Sequence, residues 1–187
     1  MSHILDLDEY PTRNRFRFCP LCATELVRVE VFERERLRCP SCGWIWFPNP
    51  NVAATMVIEH EGGIVLLRRA IPPDVGIWHL PIGHAEYGEH PADAALREAH
   101  EETGLELADP VFLSWEHSPS YQDPTLFYVV FGFTARVVGG VLRHDPMEAS
   151  ELAIVPLDAL PPLKWTSQQR AVEAYRNAQS AERRTQN

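Results

Sequence analysis

Three glutamates close together in the chain, Glu98, Glu101 and Glu102, are the residues of this sequence best suited to chemistry. If their stretch is helical, spacings of three and four residues put their carboxylates on one face within about one turn. Carboxylates that close repel one another unless a divalent cation or several cationic side chains neutralise them. Hard cations such as Mg²⁺ bind carboxylate oxygens together with the phosphates of a substrate. The spacing therefore predicts a metal site that acts on phosphate groups.

The glutamates belong to a longer pattern from Gly83 to Leu105, which reads GHAEYGEHPADAALREAHEETGL. Glu89 follows Gly83 after five residues, and the pair Arg97-Glu98 follows Glu89 after seven more. This pattern resembles the Nudix box, the signature of the Nudix hydrolase family, at every fixed position. Ile82 departs from the usual form, because many members have a second glycine there.

The resemblance implies an enzyme that hydrolyses nucleoside diphosphates linked to another moiety, using one to three Mg²⁺ or Mn²⁺ ions. The three glutamates match the metal-binding carboxylates of the family. By the same resemblance, Glu89 and Arg97 brace the loop against the helix, and the backbone carbonyl of Gly83 is a further metal ligand. The family adopts an α/β/α sandwich with a mixed sheet, so an α/β (α+β) fold is expected.

The general base is not specified by the box. In different members of the family it is a box glutamate or a carboxylate from a later loop, where this chain has Glu148 and Glu151. We predict Glu151 as the base. The alternative for the same residue is an ordinary solvated acid, because loop acids are common.

Four cysteines lie early in the chain in two pairs, and sixteen residues separate the pairs. Such knuckles are typical of a four-thiolate zinc ribbon, although two disulfides are an alternative. We predict a Zn²⁺ ion that supplies much of the stability of this small module. Its ligands are Cys19, Cys22, Cys39 and Cys42.

The motifs predict an N-terminal tail over residues 1–15, a zinc ribbon over 16–47 and a Nudix hydrolase domain over 51–180. Within the ribbon, residues 26–37 alternate like a hairpin. In the larger domain, Pro91 and Gly104 bound the box helix, whose alanines are expected to face the sheet opposite the carboxylates. A second helix is predicted over 166–183. Strands are predicted over residues 52–59, 64–69, 77–81, 111–116, 125–138 and 152–157.

The net charge of −9 argues against a general role in binding nucleic acid, because such binding needs a basic face. Acidic residues near the N-terminus argue against a signal peptide, and no apolar run approaches the length of a membrane span. The sequence therefore predicts a cytoplasmic protein without a membrane partner. Members of the family are often dimers, and the ribbon offers an interface for a homodimer.

The order of ribbon and box resembles NADH pyrophosphatases, and also a less specific ribbon-bearing group that acts on ADP-ribose or FAD. NADH pyrophosphatases carry an array of the Ser-Gln-Pro-Trp type after the box, whereas residues 118–124 read SPSYQDP here. This favours the second group. Arg68 and Arg69 are candidates for binding phosphate, and Trp78 and Tyr121 for stacking on adenine, with burial in the core as the alternative for the aromatic residues.

Two other functions are compatible with the sequence. One is the removal of oxidised nucleoside triphosphates, which the same box supports. The other is a regulatory module that senses a nucleotide while the ribbon contacts nucleic acid. The complete carboxylate set argues against the second alternative, because a pure sensor does not need all three glutamates.

Overall fold

The computed structural model describes residues 16–120 and 126–185, which divide into two compact units. The first unit contains the described residues up to Pro50 and those of the stretch Pro119–Phe127. The second unit contains Asn51–Ser118 and the described residues from Tyr128 onward. The predicted tail over 1–15 lies outside the described residues.

The first unit contains the predicted hairpin. Strands β1 (Val27–Val31) and β2 (Arg34–Arg38) pair antiparallel, with Val31 opposite Arg34. Phe32 and Glu33 connect them with φ values of 52° and 59°, as expected of a two-residue hairpin turn with left-handed backbone. The hairpin places its two strands between the two cysteine pairs of the sequence.

The second unit is built on two four-stranded sheets. One has the order β7-β3-β9-β8, in which β3 runs parallel to β9 and antiparallel to β7. The other has the order β10-β5-β4, and β6 pairs with β5. The strands are β3 (Asn51–Val57), β4 (Glu59–His60), β5 (Gly63–Arg69), β6 (Trp78–His79), β7 (Ile82–His84), β8 (Leu105–Pro119), β9 (Phe127–Gly140) and β10 (Ala149–Val155).

Helices cover opposite faces of these sheets. Helix α1 (Pro91–Thr103) packs its alanines against Met56 and Val65, whereas α2 (Thr166–Thr185) packs against Val57 and Leu66. Successive residues of a strand point to opposite faces, so α1 and α2 enclose the strands from the two sides. This arrangement confirms the expected sandwich with a mixed sheet. A 3₁₀ helix (Leu157–Ala159) precedes α2.

Local signals set the ends of α1. His90 caps its first turn by accepting a hydrogen bond at Nδ1 from the backbone N–H of Ala92 at 3.2 Å, and Pro91 occupies the first helical position. Gly104 ends the helix with a φ of 69°, and its N–H donates to the carbonyl of His100. The predicted helix is confirmed.

Several details of the second unit differ from the prediction, and the strand expected over 77–81 is reduced to Trp78–His79. The strand expected over 111–116 runs from Leu105 to Pro119, because it starts directly after the cap of α1. The strand expected over 152–157 begins and ends earlier, at Ala149 and Val155. The expectation that the box carboxylates lie opposite the buried face of α1 is wrong for Glu102, which is only 7% exposed.

None of the helices among the described residues has the length and apolar composition that a membrane span requires.

Candidate active site

The close approach of α1 to β7 sets the position of Glu98. A Cβ atom added to Gly83 would lie 1.9 Å from Cδ of Glu98, so only glycine leaves room for this carboxylate beside the strand. Burial raises the pKa of Glu98, and hydrogen bonding and the charge of Arg97 offset part of that increase. The carboxylate is therefore held close to the backbone of β7 in a partly desolvated place.

Arg97 connects the loop before α1 to the box glutamates. Its Nε and Nη2 donate to the two carboxylate oxygens of Glu89, each at 2.9 Å. Its Nη1 donates to Glu98 at 2.9 Å and to Glu101 at 3.1 Å. Nη2 also donates to the carbonyl of His84 at 2.9 Å. One guanidinium group thus fixes the loop, strand β7 and two of the three predicted metal ligands.

The ion pair with Arg97 also has a strong effect on Glu89. The hydrogen bonds from Arg97, followed by one from the backbone N–H of Glu86, lower the pKa of Glu89 to about 2. The hydrogen bonds of Arg97 to Glu89 and Glu98, together with the charges of these carboxylates, in turn raise the pKa of Arg97 above its ordinary value. Both groups stay ionised at neutral pH, as a permanent ion pair requires.

Glu102 is the buried member of the cluster. Its carboxylate accepts a hydrogen bond from the backbone N–H of Ile82 at 3.1 Å. Desolvation raises its pKa to about 8, partly offset by that hydrogen bond and further increased by the charges of Glu148 and Glu98. A buried carboxylate with negative neighbours is stabilised as an anion by a bound cation.

The donors beside β7 fit a hard divalent cation. They are carboxylate oxygens of Glu98 and Glu102, and a positive charge would offset the desolvation and the repulsion that raise the pKa of Glu102. The exposed carboxylate of Glu101 lies on the same side of α1, bound to Arg97. The glycine at position 83 keeps the space beside Glu98 free of a side chain.

A cleft opens next to Glu102. Its walls come from the end of α1, β5, β6, the start of β10 and the loop before β10. The residues that line it are Leu67, Arg69, His79, Glu102, Asp145, Glu148 and Ala149. Cationic and acidic groups therefore meet at one end of the second unit, next to the box.

The four cysteines of the first unit converge on one point. All four Sγ atoms lie within 4.8 Å of one another, and the shortest separations are 3.4 Å between Cys22 and Cys39 and 3.6 Å between Cys19 and Cys42. A disulfide needs about 2.0 Å, whereas thiolates around zinc, at about 2.3 Å from the metal, lie close to these distances. Among the described residues this is the one group of histidine, cysteine or acidic side chains gathered so tightly.

Comparison with known proteins agrees with this geometry. The sequence matches the NUDIX domain over residues 48–176. The chain belongs to the Nudix hydrolase family. It is 34% identical over 117 residues to an ADP-ribose pyrophosphatase of Methanocaldococcus jannaschii, which covers 63% of this chain and 68% of that protein.

Another relative is an NAD-capped RNA hydrolase, NudC, of Pseudomonas aeruginosa, which is 30% identical over 148 residues, or 79% of this chain. The chain spans about half the length of that relative, 50%. Among solved structures, a MutT NUDIX hydrolase from Burkholderia pseudomallei aligns with a TM-score of 0.61 and 26% identity, covering 68% of this chain and 98% of that one.

The two arginines predicted to bind substrate, Arg68 and Arg69, lie on opposite faces of β5. Residues opposite each other in a strand pair share a face, and neighbours along a strand point to opposite faces. Leu67 and Arg69 line the cleft, and His79 lies opposite Leu67. Arg68 pairs with Trp78 and so lies on the other face. Of the two arginines, Arg69 is the one brought to the cleft.

Glu151, the predicted general base, lies with Arg68 and not in the cleft. It stands opposite Arg68 in the β5–β10 register, and Arg68 Nη1 donates to its carboxylate at 3.1 Å. Arg68 also lies 6.0 Å from the ring of Trp78. The late-loop acid that lines the cleft is Glu148. Tyr121, the remaining substrate prediction, lies outside the described residues.

Two polar residues of the cleft, His79 and Asp145, were not predicted from the sequence. His79 follows Trp78 on a two-residue strand, and its position could have been found only from the pairing of β6 with β5. Asp145 is held in the loop before β10, where its side chain accepts a hydrogen bond from the backbone N–H of Met147 at 2.8 Å.

Proposed function

We propose that this protein is a metal-dependent pyrophosphatase that cleaves the diphosphate of a nucleoside diphosphate linked to another moiety, such as ADP-ribose or FAD. The observation that carries the proposal is the buried carboxylate of Glu102 beside a cleft that also contains Arg69 and Glu148. Acidic groups for a cation and a positive charge for phosphate are what hydrolysis of a phosphate anhydride needs.

Glu98 and Glu102 would hold Mg²⁺ or Mn²⁺, with Glu101 and the carbonyl of Gly83 as further ligands. When bound, the ion neutralises charge on the diphosphate and makes water a better nucleophile. Arg97 keeps Glu98 in position through a guanidinium that is itself fixed by Glu89. Support of this kind orients ligands and does not take part in bond breaking.

Glu148 is the base that the geometry favours. In the proposed step, the oxygen of a water molecule forms a bond to one phosphorus while the bond from that phosphorus to the bridging oxygen breaks. The carboxylate of Glu148 accepts the proton of the water, and the bridging oxygen leaves with the other phosphate. The backbone of Glu148 is anchored, because its carbonyl accepts a hydrogen bond from Ala70 N–H at 2.8 Å.

Arg69 would bind a phosphate oxygen of the substrate. Its Nε donates to the carbonyl of Pro73 at 2.7 Å, and its guanidinium lies 5.7 Å from the ring of Trp165. These contacts fix the side chain at the cleft, and a fixed guanidinium is well suited to phosphate. The positive charge of Arg69 would balance the negative charge of the acidic groups that line the same cleft.

The cysteine cluster is proposed to hold one structural Zn²⁺ per chain. Backbone N–H groups of Leu21 and Cys42 approach the sulfurs of Cys19 and Cys39, each at 3.4 Å, which stabilises thiolates. Elemental analysis of protein purified without chelators is expected to find about one zinc per chain. Protein that is fully reduced, folded and free of zinc would contradict the assignment.

A substrate panel tests the proposed activity. The full chain is incubated with Mg²⁺ and, in separate reactions, ADP-ribose, FAD, NADH or NAD-capped RNA. The capped RNA is included because the Pseudomonas relative is an NAD-capped RNA hydrolase. Release of AMP, or of its RNA-linked equivalent, is expected for at least one of these diphosphates. Pyrophosphate release from nucleoside triphosphates alone would favour the housecleaning alternative. Absence of turnover across all these compounds would overturn the proposal.

A further inference from the structure

His79 is a buried histidine whose tautomer follows from its surroundings. It lies on β6 and is only 3% exposed, and its Nδ1 is 2.8 Å from the carbonyl oxygen of Leu80. A carbonyl oxygen can only accept, so Nδ1 carries the proton and Nε2 carries a lone pair. Burial lowers the pKa of His79 to about 4, which keeps the ring neutral.

Nε2 of His79 is a buried acceptor without a hydrogen-bond partner. In the part of the chain that the structure describes, only it and Nε of Arg36 are buried side-chain polar atoms in this condition. Buried polar atoms in folded proteins are nearly always hydrogen bonded, because leaving one unpaired costs free energy. The residue that carries this atom lines the cleft, so a bound ligand can supply the missing donor.

A ring contact and a hydrogen bond fix the orientation of His79. The ring of Trp165 lies 5.6 Å from that of His79, centre to centre, and the guanidinium of Arg69 lies near the same tryptophan at 5.7 Å. The hydrogen bond from Nδ1 to the carbonyl of Leu80 holds the ring at the nitrogen opposite Nε2. The lone pair of Nε2 therefore has a set direction before any ligand binds.

The chemistry of the proposed substrate restricts which of its groups can donate to this atom. Diphosphate oxygens at neutral pH are acceptors, so they cannot donate to Nε2. In ADP-ribose the groups attached directly to the diphosphate are riboses, and their hydroxyls are donors. His79 lines the same cleft as Glu102 and Glu148, where the diphosphate would lie.

We propose that His79 Nε2 accepts a hydrogen bond from a hydroxyl of a sugar attached to the diphosphate. This inference rests on the proposed function and deepens it, because it makes His79 a specificity-determining residue for substrates with that hydroxyl. A site built to pair with a hydroxyl discriminates strongly against an analogue without it, since the buried acceptor is then left unpaired.

The test compares ADP-ribose with analogues that each lack one ribose hydroxyl. For the wild type, kcat/KM for one analogue is expected to fall about 10- to 100-fold below that for ADP-ribose. His79→Phe, which keeps a ring but has no acceptor, is expected to lose this discrimination. His79→Gln, which can present a carbonyl acceptor, is expected to recover part of it. Thermal melting checks that both variants are folded.

A second measurement needs no substitution. In protein with ¹⁵N-labelled histidine, the Nε2 resonance of His79 is expected to move when ADP-ribose binds with Ca²⁺ in place of Mg²⁺. An unchanged resonance in the saturated complex would overturn the inference, as would equal discrimination by wild type and His79→Phe. Hydrolysis of ADP-ribose in either of those cases leaves the proposed function intact. If the wild type does not hydrolyse ADP-ribose or any analogue, this substrate and the inference fail together.

Discussion

Arg97 and Glu89 form a two-point ion pair, in which Nε and Nη2 each donate to a separate carboxylate oxygen at 2.9 Å. The same guanidinium reaches Glu98 through Nη1. We predict that Arg97→Lys lowers kcat or apparent Mg²⁺ affinity about 10- to 100-fold, because a lysine keeps the charge but cannot form the fork. Initial rates over a Mg²⁺ titration measure both quantities.

Arg136→Lys is the matched control for this change. Arg136 also pairs with a carboxylate, that of Asp109 at 2.6 Å, but both side chains are mostly exposed. Exposed ion pairs contribute little to stability, so this variant should behave like the wild type. Equal activity and equal Mg²⁺ dependence for Arg97→Lys and the wild type would show that the fork does not position the ligands.

Gly83→Ala tests the space beside Glu98. The added Cβ would meet the carboxylate of Glu98 at about 2 Å, so the carboxylate must move away from β7. We expect kcat/KM to fall about 100-fold or more, because a displaced Glu98 can no longer hold the metal ion in its proper position. Gly139→Ala is the control, because its Cβ would meet only the end of the exposed side chain of Glu106. A fully active Gly83→Ala variant would contradict the proposed position of Glu98.

Glu148→Gln and Glu151→Gln distinguish the two late-loop acids. Glu148 lines the cleft, whereas Glu151 is bound to Arg68 on the other face of β5. If Glu148 accepts the proton of the attacking water, Glu148→Gln lowers kcat by about 10²- to 10⁴-fold with a smaller change in KM. A large loss in Glu151→Gln with near-normal activity in Glu148→Gln would restore the base predicted from the sequence.

The buried carboxylate of Glu102 predicts a pH-dependent stability in metal-free protein. Its pKa is raised to about 8 in the fold, so between about 4.5 and 8 the unfolded chain binds fewer protons than the folded one. The free energy of unfolding should therefore decrease as pH rises through this window. With a chelator present, the wild type should lose melting temperature from pH 5.5 to pH 8 relative to Glu102→Gln. If the melting temperatures of the two proteins change equally between pH 5.5 and pH 8, the carboxyl group of Glu102 is not buried as described.

The sequence was sufficient for the box helix because the signals that define it are local. Pro91 at the first helical position and Gly104 in left-handed backbone bound it, and the spacing of its glutamates needs no tertiary information. Burial of Glu102 was not predictable from helical periodicity alone. It depends on how closely α1 approaches the backbone N–H of Ile82, which precedes Glu102 by twenty residues in the sequence.

The choice between Glu148 and Glu151 depended on strand register, which the sequence does not determine. β10 pairs with β5 through a register shift between Ala149 and Glu151, and this irregularity decides which side chains face the cleft. His79 presents the same difficulty. Its place in the cleft comes from pairing with Leu67, a contact that no local pattern around Trp78 reveals.

The proposed activity requires the box carboxylates to support metal-dependent cleavage of a diphosphate. The most direct measurement is the rate of AMP formation from ADP-ribose by the wild type and by Glu102→Gln, each with and without added Mg²⁺. We expect AMP and ribose 5-phosphate from the wild type only with the metal, and a rate for Glu102→Gln lower by about 100-fold or more. Equal rates for the two proteins, or turnover that does not respond to Mg²⁺ after chelation, would contradict it.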